Sequence, residues 1–357
     1  MKVLIAAGGT GGHIYPGIAV AKELVARDAA TEVLFVGTAR GLENKIVPDS
    51  GFQLVLIHSA GLKSVGFVGK IKGLSVLPRS FIEARHLLKE FRPDVVVGAG
   101  GYVSGPVLLT AHFMGFPTLV MDSNALPGFT NRRLARFVDK AALTFNDALP
   151  FFGEKGIVTG NPVRRDFFDV PTRTPSEPFG LLIFGGSQGA RAINNAMIEA
   201  LPLLRETGSP LRITHQTGEA DFEKVREAYI NAGAEGADVR PYISDMVAEF
   251  EKADVIISRA GATTCAEVAA AGKASLMVPL PSAADDHQRK NAEAMAKEGA
   301  VSIILQSELN GASLAARLSD LLADPDKLAA MGIAARRLAR PDAAAVTADL
   351  IEGLKRA

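Results

Sequence analysis

The chain has 357 residues, 48% of them hydrophobic and 22% charged, which is enough for two domains with real cores. Lys and Arg together number 39, as do Asp and Glu, so no global field draws the chain to nucleic acid. One cysteine, Cys265, excludes an intrachain disulfide and a multi-cysteine metal site and fits a reducing cytosol; no apolar run reaches the length of a membrane span, and no secretory leader is expected ahead of the first strand.

Residues 2–7 read as a buried strand that enters Gly8-Gly9-Thr10-Gly11-Gly12-His13, with a helix from near Pro16 to about residue 27. Strands follow at 32–36 and 54–58 around a helix at 41–50, and 61–92 reads as loop then helix. A strand at 94–97 leads through Gly98-Ala99-Gly100-Gly101 into a helix ending at Met114. The strand at 118–121 ends in Asp122-Ser123-Asn124, and a helix covers 131–137. Gly160-Asn161-Pro162-Val163-Arg164 precedes a proline-rich run at 170–178 that reads as an interdomain linker.

The second half repeats the pattern. A strand at 179–184 enters Gly185-Gly186-Ser187-Gln188-Gly189-Ala190 and a helix to Leu204; a strand at 211–214, a helix at 218–229 and a strand end and turn at 239–246 follow. Val255-Ile256-Ile257 is a buried parallel strand, residues 258–262 form a small-residue turn, and Thr263 or Thr264 caps a helix that Gly272 stops. A strand at 274–280 completes this unit, and helices are expected at 287–298, 313–322, 327–340 and 342–356. KVLIAAGGTGGH aligns with GLLIFGGSQGAR, and the segment opening DVVVGAGG aligns with the one opening DVIISRAG. The expected fold is α/β, two Rossmann-like doubly wound domains whose strand ends face a central cleft.

A small-residue turn at a helix N-terminus favours an anion, and it lets a phosphate reach the backbone. Glu267, one turn into that helix, would repel a phosphate but can accept two hydroxyl hydrogen bonds, as from a ribose. Gln288 and Asn291 offer neutral polar groups that suit a sugar, so the stretch describes a nucleotide-sugar site. No loop reads G-x-G-x-x-G, and no acid ends the following strands, which disfavours NAD and FAD; no P-loop occurs either. Asp324-Pro325-Asp326 looks like a metal-binding D-x-D but reads as a helix cap, and Asp285-Asp286 as a polar loop beside the sugar. Ser187 lacks a nucleophile elbow and reads as a donor to phosphate. Cys265 reads as packing, and His58, His86, His112 and His215 as surface or packing residues. His13 lies inside a glycine loop, either as a structural cap or as a group facing the cleft. A glycine-cradled site has few bases to offer; His13, with an ordinary imidazole pKa of about 6.5, is the candidate and Asp122, at a strand end, the rival.

The motifs GGTGGHIYPG, GAGGYVSGP, GNPVR, GGSQGA, GATTCAEVAAAG and DHQRKNA, in that order over residues 2 to about 340, resemble those of the MurG family of glycosyltransferase family 28. The resemblance implies a GT-B fold. Its N-terminal domain, 1–163, would take the acceptor and the membrane; a domain at 164–340 would bind the donor, and a C-terminal helix at 341–357 would return to the first domain. The implied reaction is inverting transfer of GlcNAc from UDP-GlcNAc to the MurNAc 4-hydroxyl of undecaprenyl-pyrophosphoryl-MurNAc-pentapeptide, lipid I. It gives lipid II and UDP in peptidoglycan synthesis. By motif position the resemblance assigns Thr10, Gly11, Gly12, Asn124, Arg164, Ser187, Ile243, Ala262, Thr263, Thr264, Cys265, Ala266, Glu267 and Gln288 to the donor. Ile243 would take the uracil through its backbone, Glu267 the ribose and Ser187 the diphosphate, while Gln288 and Asn291 would read the GlcNAc hydroxyls. No cofactor is required, and a divalent metal is at most stimulatory. The implied location is peripheral, on the cytoplasmic face of the bacterial inner membrane, with other cell-wall synthesis proteins as partners and no nucleic acid. The basic and apolar residues of 62–92 would rest on anionic lipid. Asp122-Ser123-Asn124 departs from the family's usual Glu-Gln-Asn and weakens a catalytic role for Asp122. A UDP-GlcNAc 2-epimerase-like isomerase, a related transferase with another acceptor and a non-catalytic nucleotide-sugar binder remain as alternatives.

Overall fold

In the computed structural model, which describes residues 1–39, 41–59, 67–206, 208 and 210–356 but not the side chains of 67–75, the chain forms two compact units. Met1–Val163 and Arg340–Ala357 make the first, and Arg164–Ala339 the second.

In the first unit, strands β1 (Lys2–Ala7), β2 (Glu32–Gly37), β3 (Gln53–Leu56), β4 (Val95–Gly100), β5 (Thr118–Asp122), β6 (Lys140–Leu143) and β7 (Gly156–Val158) alternate with helices α1 (Gly11–Arg27), α2 (Glu43–Asp49), α3 (Phe67–Phe91), α4 (Ser104–Phe113) and α5 (Phe129–Leu134). The described strands pair in parallel in the order β3-β2-β1-β4-β5-β6-β7. Successive side chains of β1 point to opposite faces. Leu4 and Ala6 pack with Val36, Val96 and Leu108, while Val3, Ile5 and Ala7 pack with Ile14, Phe35 and Leu119. Both faces are therefore buried, as a parallel sheet requires.

The second unit contains β8 (Phe179–Phe184), β9 (Leu211–Gln216), β10 (Asp238–Arg240), β11 (Val255–Ser258), β12 (Ala274–Met277) and β13 (Val301–Ile303). Its helices are α6 (Arg191–Glu206), α7 (Phe222–Asn231), α8 (Met246–Lys252), α9 (Ala262–Ala271), α10 (His287–Lys297), α11 (Gly311–Leu322) and α12 (Pro325–Leu338). The strand order is β10-β9-β8-β11-β12-β13, the first unit's order without its last strand. The internal repeat of the sequence is thus a repeat of topology. The last helix, α13 (Ala343–Leu354), packs on α1 of the first unit, with Ala348 and Ile351 buried beside β1 and β2. Among the described residues no helix is long and apolar enough to cross a membrane.

Several expectations are corrected. α1 begins at Gly11 and carries Pro16 inside it, because burial of Ile14 and packing of His13 outweigh the poor helix propensity of two glycines. The N-cap of α9 is Gly261, so Thr263 and Thr264 lie in the first turn rather than at the cap. The proline-rich run 170–178 belongs to the second unit: Arg173 pairs with Asp254 at 3.2 Å, and the Val170 carbonyl accepts from Arg336 at 2.8 Å. β6, β7, α8 and β13 were not anticipated, since runs of three to seven residues carry little periodicity. Asp324 does cap its helix, accepting from the Lys327 amide at 2.9 Å, with Pro325 first in the helix.

The part of the proposed lipid-facing stretch at 62–66 lies outside the described residues, as do the side chains of 67–75. Further along α3, Ala84, Leu87 and Leu88 enter the core while Arg79, Ile82 and Arg85 are exposed, Ile82 at 69%.

Candidate active site

The first glycine loop leaves the C-terminal end of β1 and opens α1. Its Gly9 amide donates to the Glu43 carboxylate at 2.9 Å, whose other oxygen accepts from the Thr38 amide and hydroxyl at 2.8 and 2.9 Å. Glu43 is fully buried against Gly8, Gly37 and Gly41, and a side chain at Gly37 or Gly41 would collide with it. The sequence reading passed over Glu43; the only signal was a glycine on either side of the strand-to-helix turn. The second loop, after β4, interlocks with the first. Gly100 has φ +121 and Gly101 φ +84, and a Cβ on Gly100 would stand 2.5 Å from the His13 ring. Ser104 secures this crossing, within 3.0 Å of the Ala6 carbonyl and 2.9 Å of the Gly100 carbonyl.

His13 does not cap α1, whose N-cap is Thr10. Its Nδ1 lies 3.2 Å from the Gly8 carbonyl. A carbonyl only accepts, so Nδ1 carries the proton and Nε2 keeps its lone pair in the neutral ring. Asp122 ends β5 and is 5% exposed. Its oxygens accept from the amides of Asn124 (3.0 Å) and Gly128 (2.9 Å) and from Asn131 Nδ2 (2.8 Å). Burial pushes its carboxyl up, against those bonds and the attraction of the His13 ring. This geometry gives Asp122 the task of shaping the loop that presents the half-exposed Asn124, and it leaves no open carboxylate for a base. Thr10 is exposed, and Gly11 and Gly12 are half-buried at the first turn.

In the second unit Ser187 stands exposed at the tip of the loop after β8, where Gly186 (φ +91) accepts from the Gly189 amide at 2.9 Å. Gly189 and Gly218 approach one another so closely that neither tolerates a side chain. Gln216, at the end of β9, joins this loop to the next: Nε2 donates to the Gly186 carbonyl at 2.9 Å, and Oε1 accepts from the Ile243 amide at 2.7 Å. Ile243 was expected to take uracil through its backbone. Its amide is already occupied, so its carbonyl is the group left to meet a base.

β11 leads into the turn that opens α9. Ala262, Thr263, Thr264 and Ala266 are partly exposed at its first turns, whereas Cys265 is 1% exposed, its thiol pushed up to about 12 by burial, and only its backbone can meet a ligand. Water reaches part of Glu267, but protein crowds the carboxyl, and burial lifts it to about 7 against the pull of Arg164. Among the described residues the Glu267 side chain accepts no hydrogen bond, which leaves both oxygens open to a diol. The exposed Arg164 guanidinium lies 5.0 Å over the Phe167 ring. Gln288 Oε1 accepts from the Leu280 amide at 3.0 Å, and its NH2 group is left for a ligand. Asn291 does not fit the role of sugar reader. It is fully buried, and its Nδ2 donates to the Ala260 carbonyl at 3.2 Å, so it fixes the turn before α9. Arg259 stabilises the same turn through the Val278 carbonyl at 3.0 Å and Gln306 at 2.7 Å.

Of the two readings of His215, surface or packing, the structure takes packing, with polar partners on both ring nitrogens. It is buried between the Tyr229 hydroxyl (2.8 Å) and Asn194 (3.1 Å), and burial pushes it down to about 3. Asn194 in turn donates to the Thr217 carbonyl at 2.9 Å, so the network supports the glycine loop from below.

Two parallel sheets of matching order, each with a glycine loop at the end of its first strand, define a protein of the GT-B fold, two Rossmann-like domains. Residues 3–143 match the N-terminal domain of glycosyltransferase family 28, and residues 180–347 its C-terminal domain. The crystal structure of Acinetobacter baumannii MurG is similar at TM-score 0.84 and 34% identity, with 99% of each chain covered. A Pelobacter propionicus protein is 46% identical over 98% of this chain and 99% of its own; it is named UDP-N-acetylglucosamine–N-acetylmuramyl-(pentapeptide) pyrophosphoryl-undecaprenol N-acetylglucosamine transferase. The chain belongs to glycosyltransferase family 28, among its MurG transferases. A UDP-GlcNAc 2-epimerase from Neisseria meningitidis, bound to UDP-GlcNAc, shares the fold at TM-score 0.70 and 15% identity, with 99% of this chain and all of that one covered. At that identity the likeness is one of fold alone.

Proposed function

We propose that this chain transfers GlcNAc from UDP-GlcNAc to the MurNAc 4-hydroxyl of undecaprenyl-pyrophosphoryl-MurNAc-pentapeptide, with inversion, giving lipid II and UDP. The observation that carries this reading is the 46% identity, over 98% of the chain, to a transferase named for that donor and acceptor. The site chemistry supports it. The open, desolvated Glu267 carboxylate suits the ribose hydroxyls. The amides of the 185–189 loop, the Ser187 hydroxyl and the first turn of α9 suit the diphosphate, whose charge grows as UDP leaves. His13 Nε2 takes the proton from the attacking hydroxyl, and Asp122 and Glu43 hold its surroundings. Transfer needs no resident metal, because these groups meet the leaving charge; turnover should persist in EDTA. The chain works peripherally at the cytoplasmic face of the inner membrane, where its lipid substrate lies.

The test is incubation with UDP-GlcNAc and a short-chain lipid I analogue, with the linkage read by NMR. A β(1→4) disaccharide and UDP are expected. Release of UDP with a free 2-epimerised sugar would overturn the reading in favour of an isomerase, and UDP-GlcNAc binding without turnover would make the chain a binder.

A further inference from the structure

The second unit carries a partly open cavity of about 480 Å3 that the reaction above leaves unused. It lies at the N-terminal ends of β11 and β12, where Asp254 and Lys273 precede the two parallel strands. The donor loop leaves the opposite end of β11, so the length of the sheet separates the two places. Its volume falls in the range of small-molecule sites.

The charge around it is one-sided. Arg173, Lys273, Arg336 and Arg337 line the cavity against a single carboxylate, Asp254. That carboxylate is already engaged, accepting from the Gly180 amide at 2.7 Å and from Arg173 at 3.2 Å. Lys273 is 6% exposed and uses two of its three N–H groups, on the carbonyls of Ala253 (3.0 Å) and Glu251 (3.4 Å). Arg336 donates to the Phe168 and Val170 carbonyls at 3.0 and 2.8 Å and to the last turn of α9. Carbonyl oxygens hold Lys273 and Arg336 in place without cancelling their charge. The consequence shows at Lys273, which burial, with the charges of Arg173 and Arg336, pushes down to about 8 against the pull of Asp254 and Glu251. Fixed cations that repel one another around an open volume favour an anion, since a desolvated charge without a counter-ion is costly. Leu328 and Ile333, on the same helix α12 as Arg336 and Arg337, add an apolar part to the lining, and Ile333 is 52% exposed.

We propose that this cavity is a second ligand site, separate from the donor site, for a small phosphoryl-bearing molecule, held by Arg173, Lys273 and Arg337. A free phosphate ester and a phospholipid headgroup share that chemistry. The experiment uses the full chain saturated with UDP, so that the diphosphate site is filled, and titrates sn-glycerol 3-phosphate by calorimetry at matched ionic strength. Saturable binding is expected, weakened about tenfold or more in Lys273→Met and in Arg337→Glu, with UDP affinity unchanged in both. Arg337 is exposed, so its variant stays informative if Lys273→Met fails to fold. Displacement by phosphatidylglycerol vesicles would assign the site to a headgroup, and persistence of binding would assign it to a free ester. A signal that vanishes at matched ionic strength, or one that survives in both variants, would overturn the proposal.

Discussion

Glu267 combines a cost in stability with a use in binding. Its carboxyl is lifted from 4.5 to about 7, chiefly by burial. Holding it ionised in the folded chain therefore costs about 3 kcal/mol. The penalty is absent below the unfolded value, grows as pH rises and is complete above about 7. Glu267→Gln should accordingly raise Tm at pH 8 and leave it unchanged at pH 4. The ionised form is the one that accepts both ribose hydroxyls, so UDP affinity of the native chain should rise with pH through about 7, and the glutamine variant should be flat. Hydrogen bonds to a charged group are worth roughly 1.5–3 kcal/mol, so Glu267→Ala should weaken UDP roughly 10- to 150-fold. A variant that still prefers UDP to its 2′-deoxy analogue as strongly as the native chain would remove Glu267 from the ribose. For His13, removal of the base should lower kcat by about 10²-fold or more, with donor affinity nearly unchanged and the acidic limb of the kcat–pH profile gone. Retention of that limb, with a loss confined to donor affinity, would make His13 a loop residue.

At the scale of elements, the two glycine loops of the first unit act as one part. Gly100 sits at φ +121 against the His13 ring, a conformation that L side chains rarely adopt. Gly100→Ala adds both strain and a collision, and a shift of about 1 Å at a reacting group can cost 10²-fold. We expect kcat to fall by about that factor while UDP affinity, read in the other unit, holds. α13 offers a second comparison. Arg27 reaches Asp349 and Glu352 at 2.6 and 2.9 Å from a partly exposed position, whereas Ile351 is fully buried against the sheet of the first unit. Exposed ion pairs contribute about 1 kcal/mol or less, while trimming a buried isoleucine to alanine costs about 2–5 kcal/mol. Ile351→Ala should therefore lower the urea midpoint well beyond Arg27→Ala, and only the latter effect should shrink in high salt. The reverse ranking would show that ion pairs hold the helix.

For the whole molecule, the acceptor raises a question of place: a polyprenyl substrate must be met by a chain in which no described helix spans a bilayer. The basic and apolar stretch at 62–92 answers it if the chain rests on anionic lipid. Each basic residue near such a surface contributes about 1 kcal/mol, an attraction that salt screens. Binding to phosphatidylglycerol vesicles should fall steeply with salt and with Lys70, Lys72 and Arg79 changed together to Glu. Binding that ignores salt, or none at all, would leave the stretch as a solvated helix face.

Strand–glycine–helix units, the absence of a dinucleotide fingerprint and the order of six motifs were legible in the chain, because glycine loops and buried parallel strands are local signals. Those signals determined the two doubly wound units, the nucleotide-sugar chemistry and the family. Tertiary structure decided which polar residues face outward. Asn291 was read as a sugar reader and Asp122 as the rival base, yet burial turns both inward to hold turns, and His215, read as surface or packing, anchors a network under the glycine loop. Glu43 and Gln216 carried no motif at all. Their partners, Gly9 and Thr38 for one, Gly186 and Ile243 for the other, come from loops that only the closed sheet brings within hydrogen-bond reach. A short sequence pattern records what a backbone can do; which buried donor meets which acceptor is set by strand order, and strand order is a property of the folded sheet.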